Sequence, residues 1–230
     1  MIVPNFTPDA IEVPGNVTEL PYRERVAFIR RVAYGHFFGL VGLAGAAAFM
    51  SPQSDWRKPT LWLFALLAGL NVLRTLFRGR REDSVISAAA LPLVLLIAAW
   101  WARALVDRGL PVWAAGLGEA FAVLYAIFCG RDFSFTGQFV LAWIASSAAV
   151  AWLGLAARLS PAVAGQALAW NSVFLLYWSY DLAALLSRRR KGEEAAAVVD
   201  LYRDVFNVFG WTVRVVQHWR QHKIWTVPSR

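Results

Sequence analysis

Long apolar runs alternate with short charged breaks along most of this 230-residue chain. A lipid hydrocarbon core about 30 Å thick needs about 20 predominantly apolar residues per helix, and the runs reach that length repeatedly. Seven helical segments are predicted on this basis: residues 32–50, 60–77, 85–106, 111–129, 136–157, 161–186 and 195–217. The seventh is more polar than the others and either spans the membrane or re-enters it. The pattern therefore predicts an all-α, polytopic membrane protein.

The composition agrees with this class. Hydrophobic residues make up 58% of the chain, which includes 12 Trp, against about 45–50% in soluble domains. We predict a mobile cytoplasmic tail over residues 1–30, a seven-helix transmembrane domain over 31–217 and a short tail over 218–230. The first tail contains four prolines and no short apolar core followed by a cleavage site, so the first helix is expected to direct insertion.

The net charge of +8 is best explained by topology. Lys and Arg cluster in the breaks between apolar runs instead of forming a surface stripe, so a nucleic-acid partner is not expected. With a cytoplasmic N-terminus, more basic residues lie on the cytoplasmic side, as the positive-inside rule requires. The Ala- and Trp-rich composition suggests a bacterium, which places the protein in the inner membrane.

Signals of an enzyme are missing from the sequence. The single cysteine, Cys129, excludes an internal disulfide and a multi-cysteine metal site. There is no phosphate-binding glycine loop, no metalloprotease helix motif and no serine nucleophile elbow. We predict that the protein is not an enzyme and has no tightly bound cofactor.

Charged residues inside the predicted spans need an explanation, because an Asp or Arg at a helix centre costs about 2.5–3.5 kcal/mol even on lenient insertion scales. They are Arg74 and Arg78 toward the cytoplasmic end of the second segment, Glu119 in the fourth, Asp181 in the sixth, and Asp200, Arg203, Asp204 and Arg214 in the seventh. His36, alone in the first helix, is interpreted as a hydrogen-bonded contact between helices.

Two aspartates flank the polar link "SRRRKGEE", which joins the sixth and seventh segments with Gly192 near its apex. Antiparallel helices leaving this link place Asp181 and Asp204 at similar depth, about 10–14 Å from the cytoplasmic side. The two carboxylates become neighbours if these faces of the helices meet.

A polar stripe runs along the seventh segment. At 100° per residue, one arc of about 100° holds Asp200, Arg203, Asp204, Asn207, Trp211, Arg214 and His218. Such a stripe is expected to face the bundle interior or a wet cavity. Glu119, Asp200, Arg203, Asn207 and Arg214 are therefore candidates for lining a pathway. The alternative is an amphipathic helix lying in the membrane interface.

Two carboxylates close together in a low dielectric tend to share one proton, so the Asp181/Asp204 pair is predicted to sense pH. When both protons leave, its oxygens suit a divalent cation such as calcium. Arg78 or Arg74, on the same side of the membrane, could compete with the cation as a latch, and Arg203 is a further candidate. The alternative is a buried ionic network that only sets helix register.

Four sequence motifs in the carboxyl-terminal half are similar to the pattern of one known family when they are taken together. "SYDLAALL" precedes "VDLYRDVFNVFGWTVRVV", "GRDFSFTG" occupies 130–137, and "GEAFAVLYAIF" carries Glu119. Together they resemble the Bax inhibitor motif family, which has a Tyr-Asp near the end of the sixth helix, an Asp-Phe-Ser link before the fifth and a similar seventh helix. The resemblance covers about 115–216. The first three spans agree in number, in length and in the basic end of the second.

The resemblance implies six helices around a central seventh, with a pH-sensing aspartate pair on helices six and seven. An arginine of helix two bridges to this pair in the closed form. Matched to this sequence, the pair is Asp181 and Asp204, and the latch is Arg78, with Arg74 as the less well aligned alternative. Some bacterial members are described as pH-sensitive calcium leak channels, and one bacterial branch is linked to restraint of a membrane-anchored protease.

The sequence departs from the family pattern beside the aspartate pair. Arg203 replaces the usual Leu between Tyr and Asp, Asp200 occupies a position of small or hydroxyl residues, and the link from the fourth to the fifth helix is shorter. The extra cation could suppress calcium binding. Equally, Asp200 could offset Arg203 and leave the site usable.

The predicted function is a cation leak, with calcium as the permeant ion or ligand, gated by protonation of Asp181 and Asp204. Its expected partners are the lipid bilayer and calcium. The alternative is a non-transporting regulator that binds another membrane protein, for example a membrane-anchored protease. An intramembrane hydrolase is disfavoured because the signatures of such proteases are missing.

Overall fold

The computed structural model describes residues 13–53, 55–77, 79–129 and 133–203, and this part of the chain is helical without any strand. A short 3-10 turn at Val17–Glu19 precedes the first α-helix. The α-helices are α1 (Tyr22–Phe49), α2 (Arg57–Leu76), α3 (Arg81–Val106), α4 (Trp113–Phe128), α5 (Phe135–Ala156), α6 (Pro161–Arg188) and α7 (Glu194–Arg203). The predicted all-helical class is confirmed.

Four of the described helices, α1, α2, α3 and α5, are long and apolar enough to cross a membrane. The shortest of the four, α2, has 20 residues, which at 1.5 Å per residue span about 30 Å. The apolar helix α4 has only 16 residues. Helix α6 has 28 residues but mixes Gln166, Asn171 and Asp181 into its apolar sequence. Length and composition therefore support four of the predicted spans.

The outward surfaces of these helices are apolar. Phe38 on α1, Leu61 and Trp62 on α2 and Leu155 on α5 are each more than 60% exposed. Large apolar patches of this kind are rare on soluble monomers. They are the surface that a helix presents to lipid, and they agree with the span assignment.

The helices pack around a core to which α1, α4, α6 and α7 all contribute. Helices α4, α5 and α6 contact one another, and α1 contacts α3, α4 and α7. The described part of α7 also contacts α2, α3 and α6. The first turns of α7 thus lie where the two halves of the bundle meet.

The N-terminal region differs from the sequence prediction. Helix α1 begins at Tyr22, whereas the sequence predicted a start near residue 32. A search for apolar runs misses the first turns of α1 because they are amphipathic and rich in arginine. The described residues before it are packed, with Val17 fully buried. The backbone N–H groups of Val13 and Val17 donate to the carbonyls of Ser187 and Arg189 at 3.1 and 2.9 Å. Residues 13–30 therefore belong to the bundle and are not the mobile tail that was predicted.

The predicted hairpin is confirmed in its position. Helix α6 ends at Arg188 and α7 begins at Glu194, so the turn falls within the polar link. The backbone N–H of Arg190 donates to Glu193 Oε2 at 2.9 Å, and the N–H of Glu193 donates back to the Arg190 carbonyl at 3.2 Å. We call the end of the bundle that holds this turn, the α2–α3 turn and the start of α1 the arginine end.

Helices α4 and α6 approach each other most closely at Gly118. A Cβ atom at this position would lie 2.7 Å from Asn171 Oδ1 and 3.1 Å from the Asn171 carbonyl oxygen. Asn171 is fully buried, and its Nδ2 donates to Ser147 Oγ of α5 at 3.3 Å. Because a backbone atom is part of the contact, α4 cannot accept a side chain here without moving away from α6.

We expect Gly118→Ala to lower the free energy of unfolding by about 1–3 kcal/mol through overpacking. Gly116→Ala is the matched control on the same helix, because nothing lies within 4 Å of its added Cβ. That variant should be neutral or slightly stabilising, since Ala is the better helix former. Thermal unfolding of both variants in detergent tests the contact, and equal midpoints would contradict it.

Candidate functional site

The described residues include part of the predicted site. Asp181, Asp200, Arg203, Glu119 and Arg74 lie within them. Asp204, Arg78, Asn207 and Arg214 lie outside the described residues. The predicted Asp181/Asp204 pair and its Arg78 latch therefore stay predictions, and the geometry below concerns the other groups.

Asp181 is buried on α6, with 2% of its surface exposed. Arg188, two turns further along the same helix, donates from Nη1 to Asp181 Oδ1 at 3.3 Å. The arginine side chain therefore reaches back along α6 from the arginine end of the bundle. An arginine that the sequence assigned to the cytoplasmic link thus pairs with this buried carboxylate.

Asp200 on α7 is fully buried and is held by two arginines. Arg189, in the α6–α7 turn, donates from Nε to Oδ2 at 2.6 Å and from Nη2 to Oδ1 at 2.8 Å. Arg203, one turn further along α7, also donates to Oδ1. The two parallel bonds from Arg189 form the bidentate geometry in which a guanidinium binds a carboxylate most strongly.

Arg189 also joins the hairpin to α3. Its Nη1 donates to Asp83 Oδ2 at 2.8 Å and to Ser84 Oγ at 3.1 Å, both in the first turn of α3. We call Asp83, Arg189, Asp200 and Arg203 the arginine–aspartate cluster. It connects α3, the α6–α7 turn and α7 through one guanidinium that is only 2% exposed.

The electrostatics of the cluster favour charged partners. Burial alone would lower the pKa of the Arg189 guanidinium, but the carboxylates of Asp200 and Asp83 outweigh it and hold that pKa above its ordinary value. Arg189 therefore keeps its proton at any pH that a folded protein meets. Only the carboxylates can lose their charge, so the ion pairs of this cluster can be opened by acid but not by base.

A small cleft leads from the surface at the arginine end toward the cluster. Its lining includes Arg74, Arg80, Asp83, Arg188 and Glu193. Arg74 on α2 also interacts electrostatically with Asp200. The predicted latch residue Arg74 thus faces the same charged region as Asp200, and its relation to Asp204 lies outside the described residues.

Glu119 forms a second, separate polar contact. Its Oε2 lies 2.9 Å from Nε2 of His36, which joins α4 to α1. The prediction that His36 makes a hydrogen-bonded contact between helices is confirmed. Glu119 was predicted to line a pathway, and its partner is a histidine instead of a residue of the arginine–aspartate cluster.

Sequence reasoning missed Arg189 and Asp83. Both stand in charged breaks between apolar runs, where the positive-inside rule and a helix N-terminus explain such residues without further cause. Three consecutive arginines fill positions 188–190, and no local signal separates the buried middle one from its neighbours. Only the tertiary packing of the turn against α3 selects Arg189.

Among the described residues, no group of three or more His, Cys, Asp or Glu side chains could hold a metal ion. The carboxylates of the cluster are instead compensated by arginine. This arrangement can hold three structural elements in register and can release them when a carboxylate is protonated.

We expect Arg189→Met to lower the free energy of unfolding by about 3–5 kcal/mol, because the change leaves two buried carboxylates without their main partner. Lys191→Gln is the control in the same turn. Lys191 pairs with Glu24 at 2.8 Å, but both side chains are more than 40% exposed, so its loss should cost less than about 1 kcal/mol. Chemical or thermal unfolding in detergent measures both, and a similar loss in the two variants would contradict a special role for Arg189.

Comparison with known proteins adds no relative to this picture. No family model matches the chain, and no curated protein or solved structure matches it. The resemblance to the Bax inhibitor motif family therefore stays a prediction from sequence motifs, and the function has to be argued from the buried charges themselves.

Proposed function

We propose that the protein is an integral membrane protein that forms a pH-sensitive cation leak, with calcium as the favoured ion. One observation carries this proposal: each arm of the α6–α7 hairpin has a buried aspartate held by an arginine, Asp181 by Arg188 and Asp200 by Arg189. The two aspartates lie about 9–11 Å along their helices from the ends of the turn. Ionisable groups at such positions are expensive and mark ion pathways by default.

The proposed gate is the set of arginine–aspartate pairs. A buried ion pair holds only while both partners are charged, and removal of one charge leaves the other without compensation. Protonation of an aspartate would therefore free its arginine and loosen the hairpin from α3. The described arrangement, in which the carboxylates of the cluster are paired with arginine, corresponds in this proposal to the closed form.

The proposed calcium ligands are Asp181 and Asp204, with Arg78 or Arg74 as the competing latch. Carboxylate oxygens are hard ligands that suit calcium once the arginine has moved away. The position of Arg74 at the cleft supports a latch on α2. Glu119, Asp200, Arg203, Asn207 and Arg214 are proposed to line the pathway that the polar stripe forms.

The proposed topology has seven spanning helices with the seventh at the centre and a cytoplasmic N-terminus in a bacterial inner membrane. Contacts of α7 with α1, α2, α3 and α6 support a central position for this helix. The concentration of arginine at the α2–α3 and α6–α7 turns supports a cytoplasmic location for the arginine end.

A non-transporting regulator of another membrane protein is the second candidate. It is favoured by the charge compensation of the arginine–aspartate cluster, which gives the described carboxylates partners without any bound cation. A compensated network of this kind could serve only to hold the turn and α3 in a fixed surface for a partner.

Reconstitution into liposomes that contain a calcium dye tests the leak. We expect calcium flux that changes with pH across a range of about pH 6 to 8, because the proposed gate opens when a carboxylate binds a proton and loses its ion pair. Asp200→Asn removes the charge and keeps the shape, so it should mimic protonation and raise the flux at neutral pH. Asp181→Asn and Asp204→Asn should remove the pH dependence.

Asp55→Asn is the control, since Asp55 is an exposed residue in the loop between α1 and α2 at the other end of the bundle. Its flux should equal that of the unaltered protein. The leak proposal fails if no calcium flux occurs at any pH, or if flux is unchanged in both Asp181→Asn and Asp204→Asn. Recovery of a stoichiometric membrane-protein partner together with absent flux would favour the regulator.

A further inference from the structure

A histidine and a glutamate meet outside the arginine–aspartate cluster, in the apolar middle of two helices. His36 is the fifteenth residue of the 28 in α1, and Glu119 is the seventh of the 16 in α4. Their side chains are 2% and 12% exposed, and Nε2 and Oε2 are 2.9 Å apart. Charged groups at such a depth are uncommon and usually functional.

Aromatic side chains enclose the imidazole. The ring of Trp178 from α6 lies 5.6 Å from it and the ring of Tyr202 from α7 lies 5.1 Å from it, between centroids. Within the described residues, three buried polar atoms around this point have no hydrogen-bond partner: His36 Nδ1, Trp178 Nε1 and the Tyr202 hydroxyl oxygen. Because unsatisfied buried polar atoms are costly, a group of three beside an ionisable pair calls for a functional explanation.

The backbone of α1 is shaped to admit Tyr202. A Cβ atom on Gly39 would lie 2.7 Å from the Tyr202 hydroxyl oxygen, so any other residue here would force the phenol to shift. Gly39 lies one turn beyond His36 on α1. The tyrosine is therefore held beside the histidine by close helix approach, and it stands two residues from Asp200 on α7.

The side chains that face His36 from the neighbouring helices include one acid that contacts it, Glu119, so the net charge of the pair depends on these two residues alone. Helix α4 contributes Glu119, α7 contributes Tyr202, and α6 contributes Trp178 with Asp181 one turn away and paired to Arg188. Helix α3 carries no ionisable residue between Asp83 and Arg103. Neutral histidine with ionised glutamate carries one negative charge, and the addition of one proton makes the pair neutral.

We propose that His36 and Glu119 form a proton-binding site within the membrane, separate from the arginine–aspartate cluster. A low dielectric favours the form of the pair that has no net charge. This form holds the one added proton, which lies between Nε2 and Oε2. Its release leaves a negative charge that can attract a cation into the bundle. That last role rests on the proposed leak, whereas proton binding itself does not.

Nuclear magnetic resonance of ¹⁵N-histidine in the full-length protein in detergent micelles tests the site. The chain has three histidines, so a variant with His218→Gln and His222→Gln identifies the signal of His36. We expect the ring nitrogen signals of His36 to report the gain and loss of a proton over the pH range in which the protein stays folded. In Glu119→Gln this change should move to lower pH, since the amide cannot offset the imidazolium charge.

Glu82→Gln is the matched control, because Glu82 is an exposed acid in the first turn of α3. It should leave the His36 transition in place. The proposal is overturned if His36 keeps one protonation form throughout the pH range in the unaltered pair, or if Glu119→Gln leaves its transition unchanged. The titration uses no ion gradient, so it can succeed where calcium flux fails, and the reverse result would reject only this site.

Discussion

The described fold depends on one buried guanidinium. Arg189 receives its position from the end of α6 and binds Asp83 of α3 and Asp200 of α7 at the same time. Its own carbonyl accepts the backbone N–H of Val17, so the segment before α1 is fastened to the same residue. Four regions of the chain therefore meet at a single residue. Helices that pack through apolar surface alone can slide or rotate in lipid, because lipid offers no strong preference for one apolar contact over another. A bidentate ion pair has no such freedom.

The same interaction sets a constraint on chemistry. Removal of an arginine and two carboxylates from water costs several kcal/mol per ion, and the cost is recovered only with near-ideal geometry. Arginine suits this role because it keeps its proton and offers five donors in a planar fork. The acids are the only members of the cluster whose charge can change. The ion pairs that hold this bundle therefore respond to pH in one direction only. Protonation of a carboxylate weakens them, whereas a rise in pH leaves them intact.

Hydropathy predicted the helices well where the sequence is uniform and less well where it is mixed. The α5 span, which has no charged residue, and the α3 span, whose charged residues lie near its ends, follow directly from their apolar runs. The start of α1 was hidden because Arg23, Arg25, Arg30 and Arg31 make its first turns amphipathic. The hairpin turn and the burial of Asp181 and Asp200 could be inferred from the cost of charge in lipid. The partners of these aspartates could not, since Arg188 and Arg189 look like ordinary cytoplasmic arginines until the turn is folded against α3.

Helix α7 contacts two groups of ionisable side chains among the described residues, the arginine–aspartate cluster and the His36–Glu119 pair. Asp200 lies in the arginine–aspartate cluster, and Tyr202 contacts the surroundings of the His36–Glu119 pair only two residues later. Successive residues of a helix are fixed relative to one another, so a movement of α7 that separates Asp200 from Arg189 must also displace Tyr202 from its place against Gly39. Because α7 takes part in both contacts, a displacement of this helix at one ionisable centre changes the packing at the other.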